Sequence, residues 1–288
     1  MTSSRNPSFQ EALPQLSGAP FLTDGGFETS LIFHQNVELP LFAAFVLLDS
    51  PDGRKAIADY YGPYLEIAAA SGVGFILETP TWRASRDWGK QLGYAAHDVD
   101  RINRDAVAFM RSLKAEFAGK GPVVVSGNIG PRGDGYQPDT MMTAEAARAY
   151  HTHQVAAFAK AGADMVHAMT MTHVGEAAGI ALAAQAEGVP VALSFTVETD
   201  GRLPSGQPFG EAIEETDALT GEGPVYYGLN CAHPDHFREQ MAGGGAWRER
   251  VWVLRANASR LSHAELDAAE DLDDGNPHEL AQDYAALR

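Results

Sequence analysis

The stretch PVVVSGNIGPRGDGY, residues 122–136, joins a short apolar run to a glycine-rich polar loop. A β-branched run of that length, with no polar alternation, suits a strand buried on both faces of a parallel sheet. The glycines, proline and aspartate behind it are the residues that end such a strand. The same unit recurs along the chain. Candidate strands are FLTD (21–24), VGFILE (73–78), PVVVSG (122–127), ADMVHA (163–168), PVALSF (190–195), VYYGLN (225–230) and VWVLRA (251–256). Segments of helical period lie between them. Residues 99–117 place Ile102, Val107, Phe109, Met110 and Leu113 broadly on one side, and the Ala-rich segment 144–161 stops at Gly162. Repeated βα units with continuous apolar strands predict an α/β fold with a parallel sheet covered on both faces. Seven units over this length favour a (β/α)8 TIM barrel over a doubly wound sheet, with the eighth βα unit missing from these residues. The expectation is a single (β/α) barrel domain, 1–288, in which 1–20 form an N-terminal extension.

Composition excludes several functions. The chain has 288 residues, 45% of them hydrophobic, and so enough apolar surface for a large core. Its formal net charge of -17, with no Lys/Arg cluster, repels polyphosphate, so nucleic acid is excluded as a partner. No apolar run approaches the roughly 20 residues that span a bilayer, and the start, MTSSRNPSFQEALPQL, lacks a signal-peptide core. The reading is a cytoplasmic protein without a membrane partner. A single cysteine makes no intramolecular disulfide.

In barrels of this kind the chemistry sits where strands end and βα loops begin. Those loops read DGGFETS, ETPTWRAS, GNIGPRGDGY, MTMTHVGEA, TVETDGRLPSG, NCAHPDH and NASRLSHAE. They are rich in Gly, Thr, Asn and acids and poor in Lys and Arg. That chemistry suits a small zwitterionic or cationic ligand better than a phosphate.

The set DGGFET, SGNIGPRGDGY, SFTVETDGRLPSG and GLNC, in register at predicted strand ends, resembles the homocysteine S-methyltransferase family, which includes the betaine-homocysteine methyltransferases. The resemblance covers nearly the whole chain from Phe21 onward. It implies a (β/α)8 barrel that moves a methyl group onto the thiol of homocysteine. It also implies a zinc ion held by three cysteines, one in a G-x-N-C motif after the sixth strand and a pair in a G-G-C-C motif after the eighth. Cys231 in GLNC becomes the first zinc ligand, beside Asn230. The sequence departs from the family in stopping within an apparent helix, PHELAQDYAALR, without an eighth strand or a cysteine pair. The expectation is a further C-terminal segment that carries them.

The resemblance gives Asp24 a role near the substrate amino group or the thiol, and Gly25 and Gly26 admit backbone N–H groups to a carboxylate. An Asp-Gly-Gly turn capped by Asp24 fits the same residues. In the fourth strand the family has an acid before Thr, which binds the amino group; here Met169 precedes Thr170. Glu78 is therefore expected to meet that ammonium, or else to pair with Arg83 or Arg86. Asn257 matches the polar end of the seventh strand. Thr170 and Asn257, with Gly25 and Gly26, make the substrate-binding set, and Asp24, Glu78 and Asn230 the catalytic set. Trp82, Trp88 and Tyr136 offer an aromatic wall for a sulfonium through cation–π attraction, or belong to the core.

A local metal set of Cys231, His233 and His236 fits the spacing, but Pro234 suits a first helical turn, which would make His233 a cap. Cys231 also fits a buried small hydrophobe. The reaction read from these residues moves a methyl group from a sulfonium, S-methylmethionine or S-adenosylmethionine, to a zinc-held thiol such as homocysteine. A binding barrel that has lost zinc, and a metal-independent lyase using Asp24 and Glu78, are the alternatives.

Overall fold

The computed structural model describes residues 13–137 and 141–287. Every predicted apolar run contains a strand: β1 (Phe21–Leu22), β2 (Gly74–Glu78), β3 (Val123–Ile129), β4 (Met165–Met171), β5 (Val191–Phe195), β6 (Tyr226–Asn230) and β7 (Val251–Arg255). Hydrogen-bonded neighbours follow chain order from β1 to β7. Pairing is parallel, with Phe21 opposite Gly74, Glu78 opposite Ser126, Ala192 opposite Tyr226 and Asn230 opposite Arg255. Helices follow the strands, which makes this an α/β fold of the TIM-barrel type with seven strands; an eighth unit is not present among the described residues. Of residues 1–20, expected as an extension, 1–12 lie outside the described residues.

The boundaries differ from expectation for physical reasons. β1 stops at Leu22, so Asp24 lies in the loop beyond the strand and does not end it. β3 runs through Gly127 to Ile129 because the missing Cβ admits the Phe158 ring; a Cβ there would stand 2.5 Å from it. β4 continues past Ala168, and Met169 and Met171 are buried with it.

The helices are α1 (Pro51–Ser71), α2 (Arg86–Gln91), α3 (Ala96–Glu116), α4 (Ala144–Ala161), α5 (Val174–Glu187), α6 (Phe209–Thr220), α7 (Pro234–Gly243), α8 (His263–Ala268) and α9 (Pro277–Ala286). Ser50 starts α1 by accepting the Gly53 N–H at 3.0 Å, and Gly72 ends it at φ +65°. Such an N-cap contributes about 1 kcal/mol. In α3, Phe109 leaves the predicted apolar side and is half-buried, with the Arg54 guanidinium 5.4 Å above its ring. The acidic stretch 265–274 begins inside α8, where Ser262 and Glu265 form a capping box.

The chain divides into two compact units. The first comprises the described residues up to Arg132 with Tyr150–His167 and Ala183–Val191. Its core sets Phe75, Ile76 and Leu77 of β2 and Val124 and Val125 of β3 among Ile57 and Leu65 of α1 and Ile102, Val107 and Met110 of α3. The second comprises Gly133–Ala149, Ala168–Leu182 and the described residues from Ala192 onward. There Phe195 packs on Phe209 and Tyr227, and the Tyr227 hydroxyl donates to Asp217, which also holds Arg250 at 2.9 Å. No helix among the described residues is long and apolar enough to cross a membrane.

Candidate functional site

In the first unit two acids stand where the βα rule places chemistry. Asp24, in the loop after β1, is buried and accepts a hydrogen bond from the Tyr60 hydroxyl at 3.3 Å. Burial, and next the neighbouring Asp24 charge, push the Tyr60 phenol far above its ordinary range, so it remains a donor. Gly25 leaves space for Tyr64: a Cβ would lie 3.0 Å from the Tyr64 hydroxyl. Gly26 leads into the helical turn Phe27–Thr29.

Glu78 is the last residue of β2, and its side chain is 1% exposed. Its Oε1 lies 2.9 Å from Nδ1 of His167, also 1% exposed. Tyr61 donates to the Glu78 carbonyl at 2.8 Å, while Glu78 Oε2 has no hydrogen-bond partner. The pairing with Arg83 or Arg86 does not form. Arg86 engages Asp100 at 3.0 Å, and the Arg83 guanidinium sits 4.1 Å above Trp88 and 5.0 Å above Trp82. Trp82 and Trp88 therefore already hold a cation of this chain. A buried carboxylate with one oxygen on an imidazole and the other unpartnered can accept a donor at Oε2.

In the second unit the residues after β6 form a continuous polar network. Cys231 and Thr170 both adopt left-handed backbone, at φ +58° and +61°. Conformations of this kind cost roughly 1–3 kcal/mol each for residues with a side chain and persist where the surroundings enforce them. Asn230 supplies the enforcement: its Oδ1 accepts the Thr170 N–H at 2.8 Å, and its Nδ2 donates to Thr170 Oγ1 at 2.8 Å and to Cys231 Sγ at 3.1 Å. The Cys231 N–H donates to the Arg255 carbonyl at 3.1 Å. The Cys231 carbonyl accepts from Asn257 Nδ2 at 3.1 Å and from His263 Nε2 at 2.6 Å.

Two further residues stand here: His263, which was not legible as a site residue, and Tyr136, expected only as part of an aromatic wall with Trp82 and Trp88 or as core. His263, carried in NASRLSHAE, reaches Glu198 at 3.1 Å through Nδ1 and stacks on Tyr136 with 4.2 Å between ring centres. Burial of the Tyr136 hydroxyl, and next the neighbouring Cys231, push its phenol well above its ordinary range. Its place at the end of GNIGPRGDGY, a strand-end loop, was the available signal. The thiol of Cys231 thus faces the Asn230 amide, with the Tyr136 phenol as its neighbour.

The zinc site of the resemblance needs three thiolates, and these residues supply one. The local histidines do not complete it. His233 caps α7, its Nδ1 accepting the Asp235 N–H at 3.1 Å, and burial lowers its pKa; His236 Nε2 meets the Arg260 carbonyl at 3.1 Å. His233, Asp235 and Asp283 bring ligand atoms within 4.8 Å of one another. Arg260 and Arg238 already stand on Asp235, at 2.8 and 3.1 Å, in the role a cation would take. The residues present do not fit a three-cysteine zinc.

The order of the strands is that of an α/β fold of the TIM-barrel type, in which polar groups gather where strands end. Residues 21–287 match the family described as Homocysteine S-methyltransferase, and the chain belongs to that family. It is a methyltransferase. It is similar to the homocysteine methyltransferase MmuM from Escherichia coli. With the metallated form it shares 21% identity at a TM-score of 0.65, over 90% of this chain and 98% of that one. With the oxidized form it shares 20% identity at a TM-score of 0.66, over the same shares. At this identity the likeness establishes the fold alone. No curated protein matches the chain.

Proposed function

We propose that the chain moves a methyl group from an S-methyl sulfonium, S-methylmethionine or S-adenosylmethionine, to a thiol acceptor such as homocysteine, with Cys231 at the sulfur end of the site. The observation that carries this is the strand-end Cys231, locked in left-handed backbone with its sulfur against Asn230 Nδ2 and Tyr136. The step is a direct displacement. The acceptor sulfur forms a bond to the methyl carbon as the sulfonium S–CH3 bond breaks, a neutral thioether leaves, and the thiol proton passes to solvent. Alignment of the acceptor sulfur with the methyl carbon supplies most of the rate.

In this reading Asn230 fixes Thr170 and Cys231, and Thr170 and Asn257 shape the acceptor-binding surface. The Gly25 and Gly26 N–H groups meet a carboxylate. Asp24 lies near the amino group or thiol, and Glu78 Oε2 takes the ammonium that Met169 cannot. The family's zinc chemistry requires thiolates beyond Cys231. Zinc analysis tests it: stoichiometric metal that is lost in Cys231→Ser makes Cys231 a ligand, and its absence from an active preparation removes zinc from the mechanism. The function is tested by incubating the protein with homocysteine and each sulfonium donor and measuring methionine by mass. Absence of product with every donor overturns the reading in favour of a binding barrel.

A further inference from the structure

Cys231 sits at φ +58°, a left-handed backbone that a residue with a side chain keeps only where its surroundings enforce it. Part of the enforcement comes from the loop after β7. The Cys231 carbonyl oxygen has two lone pairs, and both are engaged: Asn257 Nδ2 donates at 3.1 Å and His263 Nε2 at 2.6 Å. A carbonyl only accepts, so the hydrogen of the second contact is on Nε2. His263 is the first residue of α8, and the capping box of Ser262 and Glu265 fixes where its side chain starts. The buried imidazole is then braced on its other sides. Glu198 Oε1, from the half-buried residue in the loop after β5, lies 3.1 Å from Nδ1, and Thr196 Oγ1 lies 3.4 Å from Nε2. The Tyr136 ring, in the loop after β3, packs against the imidazole with 4.2 Å between centres and a tilt of 34°. A ring with a polar partner at each nitrogen and an aromatic on its face is held in one orientation. Three βα loops thus act through one side chain on the peptide that follows Cys231.

We propose that His263 is a positioning residue for methyl transfer: braced by Glu198 and Tyr136, it holds the Cys231 peptide in its left-handed turn and so keeps Sγ against Asn230 Nδ2. The inference rests on the methyl-transfer reading for what the sulfur end does. His263 touches no reacting atom in this account. Its effect passes through the backbone, because a change of φ at Cys231 swings the Cα–Cβ bond that carries the sulfur. A misplacement of about 1 Å costs on the order of 100-fold in rate. A histidine that only fills space beside Tyr136 is the rival account.

Cys231 is the only cysteine in the chain, so alkylation by iodoacetamide, followed by intact mass, reads its sulfur alone. The test measures that rate in the full chain, together with kcat and KM for methionine formation from homocysteine and S-methylmethionine. The wild type is compared with His263→Gln, His263→Phe and Glu198→Ala. Glutamine offers an N–H donor at nearly the reach of Nε2, whereas phenylalanine keeps a ring and loses the donor. His263→Phe should speed alkylation by about 5- to 10-fold, the worth of one hydrogen bond, as the half-buried sulfur leaves Asn230. It should lower kcat by about 10-fold while KM for the sulfonium stays within about 2-fold. His263→Gln should recover at least about 3-fold of each change. Glu198→Ala, which leaves the imidazole in place, should speed alkylation by about 3-fold, so the assignment stays testable if His263→Phe does not fold. A space-filling histidine gives the opposite order, with His263→Phe nearest to the wild type, and that order overturns the proposal. Alkylation equal in the wild type and Glu198→Ala overturns it as well. Alkylation in the expected order with no methionine from any sulfonium overturns the transfer reading and leaves His263 as the residue that holds Cys231. Methionine formed at equal kcat in the wild type and His263→Phe does the reverse.

Discussion

Asn230 holds two strained residues with one amide. Replacing it with alanine strands the buried Thr170 N–H and releases Cys231 Sγ, so Asn230→Ala should destabilise the chain by about 1–3 kcal/mol in urea unfolding. It should also lower kcat/KM for methyl transfer by more than about 10-fold, since the sulfur end loses its geometry. An unchanged unfolding midpoint would show that Thr170 holds its conformation without the amide. Glu78→Gln tests the ammonium role separately. The amide oxygen can still meet His167 Nδ1, so the fold should survive, while loss of the charge should raise the acceptor KM by about 10-fold. Equal KM in the two proteins, measured with homocysteine, would remove Glu78 from acceptor recognition. Cys231 and Asn230 were legible from GLNC as a strand-end pair. Tyr136 was legible only as an aromatic candidate and His263 not at all, because each comes to Cys231 from a separate βα loop, and no spacing in the chain announces such a meeting.

At the scale of elements, two loops and one helix make checkable statements. His173, just after β4, accepts the Met142 N–H at Nε2 at 3.0 Å and faces Thr172 Oγ1 through Nδ1. Burial lowers its pKa from the ordinary 6.5, against a smaller upward pull from Glu176. A folded-state pKa below the unfolded one means that this group stabilises the fold above pH 6.5 and that the contribution is lost as pH falls through the folded value. Melting temperature should therefore drop on acidification below that point, and His173→Gln, whose amide accepts without titrating, should show a shallower drop. Identical pH profiles for the two proteins would assign the loss to other groups. On α9, Tyr284→Phe removes both hydrogen bonds to the β7 backbone and should cost about 1–2 kcal/mol in chemical denaturation. Strand positions were legible because buried parallel strands are continuous apolar runs. Their ends were less so, since Gly127 and Thr170 lie inside strands although their residue types are those that close one.

At the scale of the molecule, a formal charge of -17 sets the first expectation. Self-repulsion among unpaired carboxylates opposes compaction, and a Debye length of about 10 Å at 0.1 M salt screens much of it. Melting temperature should accordingly rise with sodium chloride from low to moderate concentration. A fall would mean that the surface ion pairs outweigh the repulsion. The sequence by itself determined the succession of βα units, the order of the strands, the loops that bear the chemistry and the family, because hydrophobic period and turn chemistry are local properties written in consecutive residues. Tertiary structure alone decided what the polar residues do. Glu78 could have met Arg83 or Arg86 nearby in the chain, yet it meets His167, 89 positions away, and Asn230 meets Thr170 at a distance of 60. Arg255 meets Met169 across 86. Buried polar groups must find partners wherever the packed strands bring donors and acceptors together, and that choice is made by parallel register between strands, which no local pattern encodes.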